Sequence, residues 1–297
     1  MPDARPRARY GVMGVADLII IFASMHFPTV TLCLTAAVAV VAWPQRGQQQ
    51  SRGAADWPCG ARVDPSYFHM AEATGGHLFL LAPYEIADST PLLLEVDRHP
   101  QTVFRLAGTI TAGVHEFNVP IESSVASALF SISVQCLQNA EILTPSGTPV
   151  AGDGVADYSN FRAERMVIVA SPETGNWKIR AGGSGIAGVM VQVRGSVVLS
   201  SVEFASAAGA DFRPLPAAGV ENVVRLRISG DVRDVQASVV NAAFRRIAAL
   251  TLTAGEDDGV FTSRFAPGAE GFRVAVTGRD AQGLPFQRVD ASLFIAR

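Results

Sequence analysis

The chain has 297 residues, 48% of them apolar, and a formal net charge of -3. That length and apolar content suffice for one large or two medium domains with real cores. No basic run follows the first ten residues, so the sequence offers no concentrated cationic face and excludes nucleic acid as a partner.

In chain order, Arg5, Arg7 and Arg9 precede an apolar run from Leu18 to Trp43. A basic flank before an apolar stretch reads as an export segment, residues 1–42. It is either cleaved after a small residue such as Ala42 or kept as an anchor, since about 20 apolar residues span a bilayer. This is the chain's one route to a membrane, and it places the remainder outside the cytoplasm, secreted or in the cell envelope. Cys33 belongs to that segment. Cys59 and Cys136 remain, and an even pair in an exported chain suggests a disulfide, with two free thiols as the other reading. Residues 43–63, polar and rich in Gly and Gln, read as a linker.

Asp64 is a good N-cap and Pro65 suits the first helical position. Tyr67, Phe68 and Ala71 share one stripe, and Gly75 or Gly76 supplies the stop. His77 to Leu81 then reads as a strand. From about Leu92 the apolar period becomes two: Phe117, Val119 and Ile121; Phe130, Ile132 and Val134; Val189, Val191 and Val193. Alternation broken by turn signals predicts antiparallel sheets over 91–204. After the Ala/Pro/Gly stretch near Ala208 the pattern restarts, with Val224, Leu226 and Ile228, then Phe272, Val274 and Val276. Roughly seven short strands fit residues 212–297, the size of an immunoglobulin-like sandwich. The predicted fold class is all-β: two tandem antiparallel β-sandwiches with one short helix before them.

Several patterns invite chemistry. Gly183, Gly185 and Gly188 have the G-x-G-x-x-G spacing. A dinucleotide loop needs a helix after the glycines to hold pyrophosphate. Here β-branched "VMVQVRG" follows, so the glycines are expected in a hairpin connection and no cofactor is expected. No G-x-S-x-G elbow occurs. Of the five histidines, His26 lies in the export segment, His69 beside the helix stripe, His99 in a loop, and His77 and His115 at strand starts, so no catalytic group is expected. Asp153, Asp157 and Asn160 share one loop, and Glu256, Asp257 and Asp258 another, but neither has the order of an EF-hand. Both read as solvated turns and no metal is expected. Trp177 alternates with Ile179 and is expected in the core rather than on a sugar.

"YFHMAEATGGHLFLL" resembles the last helix and strand of a von Willebrand factor A domain. "HEFNVPIESSVASALFSISV", "ILTPSGTPV" and "PETGNWKIRAGGSGIAGVMVQVRG" resemble the galactose-binding-like β-sandwich that follows that domain in hemicentins and in von Willebrand factor A domain-containing protein 7. "FRVAVTGRDAQGLPFQRVDASLF" resembles the immunoglobulin-like domain that comes next. The resemblance implies an A-domain-like remnant at 64–90, a galactose-binding-like sandwich at 91–204 and an immunoglobulin-like one at 212–297. The A domain's D-x-S-x-S metal motif is absent, so its metal-dependent adhesion does not carry over. The functional expectation is a non-catalytic exported module of adhesion or assembly, with a protein or glycan ligand. One alternative is a carbohydrate-binding module using Tyr158, Phe161 and Phe212. Another is the truncated remnant of an A-domain protein.

Overall fold

The computed structural model describes residues 19–24, 35–40, 59, 63–81, 85, 95–96, 98–150, 156–206 and 211–297. Most of segment 1–42, most of linker 43–63, and Asp153 lie outside them. Within the apolar run, Ile19–Ser24 (β1) and Thr35–Val40 (β2) pair as antiparallel strands, and β1 also pairs with His77–Leu80 (β3). No helix among the described residues is long and apolar enough to cross a membrane.

The one named helix is Pro65–Thr74 (α1), and its ends follow from capping chemistry. Asp64 accepts from the Ser66 backbone N–H at 2.8 Å, and Gly75, at φ 73°, turns the chain out in the left-handed region.

Six strands come next: Gln101–Ile121 (β4), Ser127–Val134 (β5), Asn139–Leu143 (β6), Ala156–Asn160 (β7), Glu164–Ala170 (β8) and Gly175–Arg194 (β9). They form a single antiparallel sheet in the order β4-β9-β5-β8-β7, with β6 also on β9. The expected two-sheet sandwich is therefore one sheet folded over on itself. Phe104 and Phe117 sit on the same strand, β4, and would be about 43 Å apart if it ran straight. Their ring centroids are 5.4 Å apart. Trp177 on one half likewise meets Phe130 on the other at 5.1 Å. The apolar sides of both halves close over a core that includes Val119, Phe130, Ile132, Trp177, Ile179 and Val191.

The fold-over corrects the reading of the glycines. They are not a hairpin connection; they lie inside the continuous strand β9, at its bend. The β4–β9 ladder slips between Ile110 and Gly113, and Gly183 and Gly185 take φ of 156° and 93°. Here β9 passes the turn joining β5 to β6, and Cys136 donates its backbone N–H to the Ser184 carbonyl at 2.9 Å. A Cβ on Gly183 would meet the Cys136 carbonyl oxygen at 2.4 Å. Close backbone approach accounts for Gly183 and the positive φ for Gly185, while a Cβ on Gly188 would meet open space.

The remaining strands are Val198–Ser206 (β10), Asn222–Ser229 (β11), Val232–Val240 (β12), Arg246–Leu250 (β13), Thr253–Ala254 (β14), Val260–Phe265 (β15), Arg273–Asp280 (β16) and Pro285–Val289 (β17). They make two four-stranded antiparallel sheets, β10-β11-β15-β14 and β13-β12-β16-β17. Between them lie Val224, Leu226, Ile228, Val239, Val274 and Val276, the inward members of the period-two runs. The boundary differs from the expected 204/212 division: β10 pairs with β11, so the second unit starts at Val198. Among the described residues the protein is mostly β, with α1 and a short helical stretch at residues 95–96 and 98.

Candidate functional site

Alternation gives the first sheet an outer face that reads as polar: Ser131 and Ser133 on β5, Gln192 on β9 and Arg105 on β4. All four are buried. The cover is α1 and β3 with the residue after it: Phe79, Leu80 and Leu81 are fully enclosed. Leu81 and Phe79 pack on Leu129, Phe161 and Met166, while Ala71, Leu78 and Leu80 form a second small cluster with Ala163.

Polar groups beneath the cover find partners there. Glu72, in the last turn of α1, is 4% exposed. Arg105 donates to its Oε1 from Nε at 3.1 Å and from Nη2 at 2.7 Å. The same guanidinium reaches the carbonyls of Ala71, Gly75 and Gly76 at 3.2, 2.9 and 2.6 Å. It thus caps the end of α1, where helical carbonyls lack partners of their own. Arg273, on β16 of the second unit, pairs with Glu72 Oε2 and donates to the Ala291 carbonyl. One carboxylate therefore joins three pieces of the molecule: the α1–β3 segment, the folded sheet and the second sandwich.

Burial pushes the Glu72 carboxyl up, but Arg105 and Arg273 outweigh burial and hold it below its ordinary value. Burial, with Arg105 nearby, brings Arg273 down to about 10 despite Glu72, so it remains a cation at neutral pH. Asp290 is pushed up to about 6, by burial above all. A gap of about 20 Å³ lined by Glu72, His77, Arg105 and Ser131 has room for roughly one water.

A second clamp lies along the same seam. Arg288 on β17 is fully buried, pairs with both oxygens of Glu122, and donates to the Val197 carbonyl at 2.9 Å. Ser123 donates its backbone N–H to Asp280 at 2.9 Å, and Gln287 donates to the Val103 carbonyl at 2.7 Å. Phe244 of the second unit packs at a tilt against Phe104 of the first, with centroids 4.7 Å apart. The chemistry of the seam is that of a clamp: the carboxylates accept from two sides, and each guanidinium is shared between a carboxylate and backbone carbonyls.

Elsewhere under the cover, His77 Nε2 donates to Gln192 Oε1 at 2.9 Å, and burial lowers the ring's pKa to about 3. Glu164 accepts from Ser131 at 2.8 Å, and burial raises it to about 8, so it is mostly protonated at neutral pH.

The residues singled out from sequence are placed as follows. Cys59 and Cys136 form a disulfide with Cα atoms 4.4 Å apart, which ties the segment before α1 to the β5–β6 turn. Trp177 is 1% exposed and donates its Nε1–H to the Glu173 carbonyl at 2.7 Å. Of the three candidate sugar-stacking aromatics, two have their side chains described. Phe161 is buried in the cluster under β3, and one face of Phe212 is occupied by Arg225, 3.7 Å from its ring centroid. Tyr158 is described in its backbone alone, as is Asp157. Asn160 is exposed at the end of β7, and Glu256, Asp257 and Asp258 are exposed, with Asp257 3.6 Å from Arg227. Among the described residues no three acidic, His or Cys side chains converge as metal ligands would. His69 is exposed, and His115 bonds the Thr111 carbonyl at 2.9 Å.

Sequence reading missed Glu72, Arg105, Glu122, Arg273 and Arg288. A signal existed for the arginines: each interrupts an apolar run, in "TVFRLAG", "GFRVAV" and "PFQRVD". Alternation assigns such residues to solvent unless another element covers them.

No protein family and no curated protein matches the chain. Among solved structures it is similar to a lipase of Bacillus licheniformis in its propeptide form, at 14% identity and a TM-score of 0.36, covering 64% of this chain and 40% of that one. It is also similar to a DUF4785 family protein of Legionella pneumophila, at 14% identity and a TM-score of 0.38, covering 65% of this chain and 64% of that one. The chain thus spans less than two thirds of the length of either.

Proposed function

We propose that the protein is a non-catalytic, exported module of adhesion or assembly, in which a galactose-binding-like unit and an immunoglobulin-like unit are joined as one stiff body. The observation that carries this reading is the seam: Glu72 holds Arg105 and Arg273, and Glu122 holds Arg288, all buried. Truncating one partner of a buried charge pair typically costs about 3–5 kcal/mol, so relative motion of the units would have to break contacts of that size. A module that presents loops at fixed spacing to a partner needs such stiffness. The Cys59–Cys136 bridge suits an oxidising compartment, in keeping with the basic flank and apolar run at the N-terminus. Fractionation of cells producing the full chain tests the reading. The expected product is in the envelope or medium with its cysteines oxidised. A full-length, reduced chain in the cytoplasm would sink it.

A second reading, a carbohydrate-binding module, is favoured by one observation. A cavity of about 290 Å³ lies on the outer face of the folded sheet, lined by Glu95, Arg98, His99, Ser127, Ile168, Ala170 and Arg194. Its test is a glycan array probed with the full chain.

A further inference from the structure

The cavity on the outer face has a proton arrangement that can be derived. Arg194, Ser127 and Ala170 are cross-strand neighbours in register on β9, β5 and β8, so they share one face. Glu95, Arg98 and His99, from the segment leading into β4, line the cavity with them. The His99 ring, 2% exposed, has Nδ1 at 2.7 Å from the Glu95 carbonyl and Nε2 at 2.9 Å from Ser127 Oγ. A carbonyl can only accept, so Nδ1 carries the proton. Burial lowers the ring's pKa, and Arg194 and Arg98 add to that against Glu95, so the ring is neutral at neutral pH. Nε2 is then a bare lone pair and must accept from the Ser127 hydroxyl. With its proton directed at His99, Ser127 Oγ offers the cavity lone pairs alone.

The charges are equally constrained. Arg98 is paired with Glu95 at 2.5 Å. Arg194 is exposed and has no carboxylate partner among the described residues. Among the described residues one unbalanced positive charge therefore remains, beside a hydroxyl oxygen that accepts and the apolar surface of Ile168 and Ala170. The volume, about 290 Å³, is just below the usual range of small-molecule sites, roughly 300–1,000 Å³. We propose that this cavity binds a hydroxylated monoanion of about one sugar ring, a sugar acid, with Arg194 on the carboxylate and Ser127 Oγ accepting from a ligand hydroxyl. The proposal rests on the carbohydrate-binding reading and names its ligand class. An isolated arginine would take any anion. The lone pairs of Ser127 add the demand for a hydroxyl donor, and the cavity's volume adds a limit on size.

Calorimetry of the full chain with glucuronate, glucose and acetate tests it. Glucuronate is expected to bind one to one, with glucose, which lacks the charge, and acetate, which lacks the hydroxyls, each at least tenfold weaker. Arg194→Gln should weaken glucuronate at least tenfold and leave the thermal midpoint in place, because the side chain is exposed. Arg98→Gln should do less, since Arg98 is already paired. Failure of glucuronate to bind, equal binding of glucose or of acetate, or an unaffected Arg194→Gln variant would each overturn the site. A glycan array separates this from the broader reading. Binding of neutral glycans that survives Arg194→Gln ends the proposed site and keeps a carbohydrate module, whereas an array without any binding ends both.

Discussion

Two sets of ion pairs on this molecule arise from the same sequence pattern and meet opposite fates. On the outer face of the β10–β11–β15 sheet, Arg225 pairs with Glu203 and Arg264 with Glu221, both at 2.8 Å, on side chains 26–65% exposed. At the seam, Arg105 pairs with Glu72 at 2.7 Å with both side chains about 5% exposed or less, and Arg273 and Arg288 are fully enclosed. The Arg105–Glu72 distance hardly differs from those of the exposed pairs. The difference is what lies above them. Water screens the first set, so each pair is worth about 0–1 kcal/mol. The second set has lost its water, and each member depends on its partner to offset desolvation. Ion pairs thus report on architecture here through burial rather than through geometry.

The sharpest way to break that comparison is Glu72→Ala. It leaves Arg105 buried without a paired carboxylate and Arg273 with Asp290 alone nearby, and the expected loss of unfolding free energy is about 3–5 kcal/mol, read by urea denaturation. Replacing Glu72, Arg105 and Arg273 together by Met should recover most of that loss, because the uncompensated charge is gone. A Glu72→Ala variant as stable as the parent would mean the seam is open to water.

Next in size is the covalent tie on the same cover. Reduction, or Cys136→Ser, opens a loop of 77 residues, for which chain entropy gives roughly 4–5 kcal/mol as an upper figure and typical measured losses are about 2–5. Labelling with a thiol reagent should find no reactive cysteine at positions 59 and 136 of the folded chain until reductant is added. Two reactive thiols there would refute the bridge.

A third test uses the buried titratable groups. Glu164, raised to about 8 from an ordinary 4.5, favours the folded state as long as it is protonated. That contribution is full below pH 4.5 and is lost as pH rises through 8. His77, lowered from 6.5 to about 3, acts in the other direction: the folded state loses ground as pH falls below 6.5 and the unfolded ring takes up a proton. The two slopes oppose each other between pH 4.5 and 6.5, so stability should be broadly flat there and decline on either side. Glu164→Gln keeps the shape and removes the titration. Its advantage over the parent should be near zero at pH 4.5 and grow to a few kcal/mol by pH 9, since each tenfold change in proton affinity is worth about 1.4 kcal/mol. A constant difference across that range would place Glu164 in contact with solvent.

The smallest effect is expected on the exposed set. Glu221→Ala should change stability by less than about 1 kcal/mol, and less still at high salt. A loss comparable to that of Glu72→Ala would erase the distinction between the two sets.

The sequence by itself determined what depends on neighbours along the chain. Asp64, Pro65 and Gly75 fixed the ends of α1 because capping is a matter of a few adjacent backbone groups. The period-two runs marked most strands because alternate side chains must point to opposite faces, and Trp177 was legible as core from Ile179 two residues on. What those faces meet was not legible. Ser131, Ser133 and Gln192 alternate as solvent-facing residues do, yet α1 and β3 cover them. The glycines from 183 to 188 resemble a turn in one dimension, but they bend a continuous strand past Cys136, a constraint set by a residue 47 positions away. Glu72 and Arg273 are separated by 201 residues and His99 and Ser127 by 28; no local signal links either pair. These pairings come from the fold, because burial is what turns an ordinary polar side chain into part of a clamp, and burial is set by segments remote in sequence.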